Sequence, residues 1–128
     1  MKICVTSTGR DLDSKVDFHF GRAPYFLIVN TDTMAFDVVE NTEQVAGRGA
    51  GIGAAQMILD KSASAVLTGI IGPNAFHALK VAHVEIYEGF AGNETVRVAV
   101  EKFNKGEYRE VTEPTGGPGR GRGSRGGW

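Results

Sequence analysis

The chain has 128 residues, 41% of them hydrophobic, and a formal net charge of −1. That is one domain's worth of core-forming material, and the overall charge points neither to nucleic acid nor to a membrane surface. A single cysteine, Cys4, excludes an internal disulfide framework and fits a reducing compartment. No apolar run is long enough to span a bilayer, and no signal-like segment is evident, so a cytoplasmic location is expected.

In chain order, residues 2–6 form a short β-branched run closed by Ser7, Thr8 and Gly9, the pattern of a strand buried on both faces. Residues 25–29 and 35–39 predict two further strands. The turn residues Asn30 to Thr33 between them predict a hairpin. Ile52, Ala55, Ile58 and Leu59 then fall at helical spacing, with Gln56, Asp60 and Lys61 opposite. Residues 65–68 predict a strand, 74–82 a short helix, and 84–87 another strand. Val96, Ala99, Val100 and Phe103 keep the i, i+3, i+4, i+7 spacing of a final helix.

This βββαβαβα order predicts an α/β domain of about five strands, with 65–68 and 84–87 parallel to each other. The domain is expected to span residues 1–112. Residues 113–128 are rich in glycine and arginine and read as a disordered tail. Arg120, Arg122 and Arg125 are the only charges after Glu113, so that stretch carries +3 and the rest −4.

Chemistry concentrates in glycine-marked turns. Val16, Phe18 and Phe20 alternate with Asp17, His19 and Gly21; an extended backbone there would turn the apolar side chains inward and Asp17 and His19 outward. An exposed neutral imidazole is a common metal ligand, and a nearby carboxylate can fix its tautomer. The alternative is a plain surface histidine, and one histidine does not make a zinc site.

Residues 47–54 match G-x-G-x-x-A ahead of a helix, but the next strand ends Leu67-Thr68-Gly69-Ile70, without the acid a dinucleotide ribose needs. What remains is a glycine-lined helix start at Gly49 and Gly51, beside Arg48. It either offers N–H groups to an anion or merely permits a tight turn. Gly72, Pro73 and Asn74 mark a second helix start.

His77 reads as solvent-facing and His83 as a structural residue at a helix end. Cys4 reads as a small core side chain. Asp11 and Asp13 sit in a loop rather than grouped on strands, and no serine or cysteine has an evident base, so no enzymatic activity is expected.

Taken together, these motifs resemble the dinitrogenase iron–molybdenum cofactor biosynthesis family, which includes NifX-like carriers and the NifB C-terminal domain. The resemblance runs from Met1 to about Thr112, through residues 9–14, the motif from His19 to Phe26, the helix start at 49–52 and residues 68–76. It implies a ribonuclease H-like three-layer fold with a mixed five-stranded sheet, order 3-2-1-4-5, strand 2 antiparallel. It also implies a non-catalytic carrier of an iron–sulfur or molybdenum-containing sulfide cluster, working with cluster donor and acceptor proteins.

In that topology the loops 7–24, 40–51, 69–74 and 88–95 share one edge, where open α/β sheets bind ligands. His19 matches the family's expected metal ligand. Gly21, Arg22, Arg48, Gly49, Gly51, Gly72 and Asn74 would surround an anionic cluster. A second reading comes from the tail, whose arginines and Trp128 suit a weak, salt-sensitive contact with RNA or a docking contact with a protein.

Overall fold

The computed structural model describes residues 1–42, 50–90 and 93–114, with residues 50 and 51 as helical backbone only. Arg48, Gly49 and the tail from residue 115 onward lie outside the described residues.

Strand β1 (Lys2–Ser7) is the middle of the sheet, and Ile3, Cys4 and Val5 are completely buried. It runs antiparallel to β2 (Tyr25–Asn30), with Cys4 opposite Ile28. Strand β3 (Phe36–Glu40) pairs antiparallel with β2 and so runs with β1. The hairpin closes as its turn residues require. The Asn30 side-chain oxygen accepts from the N–H groups of Asp32 (2.9 Å) and Thr33 (3.2 Å). On the other side, β4 (Ala65–Leu67) lies parallel to β1, and β5 (Glu85–Glu88) parallel to β4.

The five predicted strands therefore stand in the expected order, 3-2-1-4-5, with strand 2 antiparallel. The sheet nevertheless has six strands. Strand β6 (Arg109–Glu110) pairs antiparallel with β5 at the far edge. Gly106, at φ 74°, lets the chain fold back after the last helix, and Val111 N–H then donates to the Ile86 carbonyl at 2.7 Å. Two exposed residues carry no hydrophobic period, so nothing in the pattern signals this strand.

Helices α1 (Ala50–Asp60) and α2 (Pro73–Val81) cover one face, and α3 (Val96–Asn104) covers the other. The alternation along β1 and β2 divides the core accordingly. Cys4, Phe26 and Ile28 pack with Ala55, Ile58, Phe76 and Leu79; Ile3, Val5, Leu27 and Val29 pack with Val96, Ala99 and Val100. Each fully buried aliphatic or phenylalanine contributes about 1.5–3 kcal/mol, so the two faces hold the sheet rigid beneath its loops. Among the described residues no helix is long and apolar enough to cross a membrane.

Candidate functional site

Strands β1, β3, β4 and β5 all point their C-terminal ends at one edge. The long loop 8–24 organises that edge, because backbone hydrogen bonds join it to the loops beside it. Phe20 N–H donates to Ile70 O at 3.0 Å and Gly69 N–H to Phe18 O at 3.2 Å, so His19 and Ile70 form a parallel bridge. Val16 N–H donates to Glu94 O at 2.9 Å on the opposite side, and Lys15 bridges Thr95. Asn41, just past β3, donates from its backbone N–H to Pro24 O at 2.9 Å.

The bridge at His19 is tight enough to demand a glycine. A Cβ on Gly69 would lie 2.4 Å from the Phe18 ring and 2.9 Å from the Phe18 carbonyl oxygen. Beneath it, Thr6 and Thr68 form a buried polar floor. The Thr6 hydroxyl donates to Asp17 O at 2.5 Å and lies 3.1 Å from the Thr68 hydroxyl.

His19 itself is well exposed, its side chain 59% accessible. The Asp17 carboxylate accepts the His19 backbone N–H at 2.8 Å, while the imidazole Nδ1 stands 3.8 Å away, beyond hydrogen-bond range. Asp17 thus fixes the backbone under His19, and among the described residues neither ring nitrogen makes a hydrogen bond. The next residue, Phe20, is buried against Phe26 with ring centroids 5.5 Å apart. His19 O then accepts from Ala23 N–H at 2.9 Å, closing a turn that displays Gly21 and an exposed Arg22.

The expected alternation fails at Phe18, which is 36% exposed rather than buried. The Asp17–His19 turn bends the chain, so Phe18 and Phe20 serve different layers. Phe20 joins the α1/α2 side, whereas Phe18 packs edge-on against Phe90 of the α3 side, centroids 6.1 Å apart.

The starts of α2 and α3 at this edge differ. The first N–H groups of α3 are satisfied: Thr95 Oγ1 accepts from Val98 N–H at 3.2 Å, and the Leu12 and Ser14 carbonyls accept from Arg97 and Val96. Helix α2 has Gly72 at its N-cap, no side-chain cap and no acid in its first turn. Gly72 adopts an extended φ of −77°, and a Cβ there would meet nothing within 4 Å. Neither backbone nor packing demands the glycine, and among the described residues no side chain caps the first turn, where Asn74 is exposed, as an anion at a helix start requires.

Of the residues expected at the site, His19, Gly21, Arg22, Gly72 and Asn74 therefore gather around the His19–Ile70 bridge. Gly51 falls in the first turn of α1, and Arg48 and Gly49 lie outside the described residues. Cys4 is fully buried at mid-sheet, where burial pushes its thiol well above the usual range, so it offers no thiolate to this edge. Asp11 accepts from Asp13 N–H (3.0 Å) and Ser14 Oγ (3.2 Å), and Asp13 pairs with Arg97 (3.2 Å), so both acids serve local structure. His77 is exposed on α2, and His83 follows that helix at φ 65°. Among the described residues no three His, Cys, Asp or Glu side chains converge as a metal ion requires.

Three contributors escaped the sequence reading. Arg10 adds a cation to this edge, its guanidinium 5.5 Å from the Tyr25 ring centroid. The Asn41 amide donates to the carbonyls of Gly21 (3.1 Å) and Ala23 (2.8 Å), a buried brace for the His19 turn. Glu94, also buried, accepts from the Tyr108 hydroxyl at 2.6 Å and pairs with Lys102.

The sequence profile described as dinitrogenase iron-molybdenum cofactor matches residues 1–106. The apo orange protein from Desulfovibrio gigas is similar in structure, with TM-score 0.84 and 41% identity over 88% of this chain and 94% of that one. A Thermotoga protein provisionally called NifB is similar at TM-score 0.76 and 33% identity, covering 98% of each chain. An uncharacterized Methanocaldococcus jannaschii protein is 26% identical over 101 residues, 77% of this chain and 84% of that one. With the profile covering residues 1–106 of the 128, the chain belongs to the dinitrogenase iron-molybdenum cofactor family.

Proposed function

We propose that this protein is a non-catalytic carrier that holds an iron–sulfur or molybdenum–iron–sulfur cluster as cargo at its loop edge and passes it between donor and acceptor proteins. The observation that carries the reading is the His19–Ile70 bridge. It sets an exposed imidazole, whose ring nitrogens make no hydrogen bond among the described residues, a few residues from the N-terminus of α2.

An anionic sulfide cluster needs a soft or borderline ligand and positive surroundings. His19 supplies the bond to metal. Gly21, Arg22, Gly72 and Asn74 supply N–H groups and charge; Gly51, in the first turn of α1, and Arg48 and Gly49 before it are assigned to the same field from the sequence. A single protein ligand suits cargo that must leave again, whereas a resident metal ion takes about three or four. Family membership supports the class of cargo.

We read the three layers as ribonuclease H-like, the domain as residues 1–112, and the location as cytoplasmic. The tail from residue 113 is assigned no part in holding the cluster; contact with RNA or a partner through its arginines is the competing reading.

Protein purified without oxygen should show sulfide-to-metal absorption together with iron or molybdenum by elemental analysis. In a titration of apo protein with an anaerobically supplied cluster, His19→Ala should lose most affinity and keep the fold. Arg48→Ala should weaken binding in a salt-dependent way, and His77→Ala should match the parent. Full affinity in His19→Ala would overturn the ligand assignment.

A further inference from the structure

We propose that Ile70 makes this site selective for sulfide-coordinated metal anions over oxyanions of the same shape and charge. The inference rests on the carrier reading above and concerns how the site tells its cargo from commoner anions.

Residues paired in a bridge stand side by side, their backbones about 4.8 Å apart. The bridge therefore sets Ile70 next to His19 in space, and both residues are exposed there. Ile70 is 40% exposed, a large aliphatic group at the rim of a site that otherwise offers an imidazole, a guanidinium and backbone N–H groups, with the exposed Phe18 ring beside it. An isolated exposed isoleucine needs no explanation. This one is held in place by two backbone hydrogen bonds, to Phe18 O and from Phe20 N–H, and α2 begins three residues later.

Arg22 and the first N–H groups of α2 attract any anion and cannot discriminate. An oxyanion binds its water and its donors strongly; contact with an isoleucine displaces that water and returns nothing. A thioanion of equal charge is larger, more polarizable and less strongly hydrated. It gives up little on contact with methyl groups and gains dispersion. Placing Ile70 beside the metal-binding imidazole therefore favours sulfur over oxygen around the metal, while the cations set only the overall attraction.

Tetrathiomolybdate and molybdate provide the test, being tetrahedral dianions of the same metal. Each is titrated anaerobically into full-length parent, His19→Ala, Ile70→Val and Ile70→Thr at matched ionic strength, with circular dichroism to verify folding. The parent should favour tetrathiomolybdate. Ile70→Thr should lower that affinity about five- to tenfold, the loss expected for about one to two buried methyl groups, and leave molybdate unchanged. Ile70→Val should keep the preference. If His19→Ala loses tetrathiomolybdate but Ile70→Thr keeps the parent's ratio, or weakens both anions equally, this proposal fails alone. If the parent binds neither anion, or His19→Ala binds tetrathiomolybdate as the parent does, the carrier reading fails with it.

Discussion

The side-chain amide of Asn41 donates to the carbonyl oxygen of Ala23 at 2.8 Å. It also reaches Gly21 O at 3.1 Å, so one buried residue after β3 braces the turn that displays His19 and Arg22. Asn41→Ala removes both donors from a site with little access to water. It should cost about 1–3 kcal/mol. Asn41→Asp should cost at least as much, because a carboxylate would face two carbonyl oxygens. Native-state hydrogen exchange is the discriminating measurement. Protection of the Arg22 and Ala23 amides should fall more than that of β4; a uniform fall across the chain would mean Asn41 stabilises the whole fold rather than this turn.

At Gly69 the constraint is steric. A methyl group there would approach Phe18 ring and backbone atoms at 2.4–3.0 Å, so the two segments of the His19–Ile70 bridge must separate. Gly69→Ala should destabilise by about 1–3 kcal/mol and should also weaken cluster binding, since His19 moves with its backbone. A variant with parental melting temperature and parental binding would show that the segments are not so closely packed.

How much of this was legible beforehand depends on the range of the interaction. The strand positions followed from short β-branched runs, and the helices from Ile58 and Phe103 falling in phase with their neighbours. Those are properties of a few adjacent residues. The bridge between His19 and Ile70 joins positions 51 apart, and no local period encodes it. Phe18 was misplaced because alternation assumes extended backbone, whereas Asp17 accepts the His19 N–H and turns the chain.

Glu94 goes unmarked in the sequence for the same reason. Its partners, Tyr108 and Lys102, arrive from β6's approach and from α3. Arg22 and Gly72 could be named from turn chemistry alone, but their gathering at one edge came from the strand order.

Helix α2 ends with His83 in the left-handed region, φ 65°, and its N–H donates to Lys80 O at 3.0 Å while Val84 N–H donates to Leu79 O at 2.9 Å. This is the glycine-favouring close that α3 makes with Gly106, at φ 74°. The imidazole is exposed, so glycine would relieve backbone strain and remove little packing. His83→Gly should raise stability by about 0.5–1 kcal/mol, read as a higher urea midpoint at unchanged slope. A lower midpoint would show that the imidazole contributes more than the strain costs.

The Glu94–Tyr108 bond gives the fold a signature in alkali. Burial, then the bond to Glu94, pushes the Tyr108 hydroxyl far above its ordinary range. Tyr87, whose hydroxyl donates to Glu85 at 2.8 Å, is pushed up to about 12, first by that bond and then by burial. In the unfolded chain both ionise near pH 10 (an approximate value). Above that pH the unfolded state has released protons that the native state still holds, so unfolding becomes more favourable as pH rises. The stability due to these tyrosines is therefore complete below about pH 10 and is lost progressively above it, through about 12 for Tyr87. Urea midpoints measured from about pH 9 to about pH 12 should fall steeply for the parent. Tyr108→Phe should start about 1–3 kcal/mol less stable at neutral pH, because Glu94 loses a buried donor. Its decline in alkali should be shallower, because one raised tyrosine is gone. Parallel curves for parent and variant would mean that Tyr108 ionises alike in both states and that its bond to Glu94 does not hold in solution.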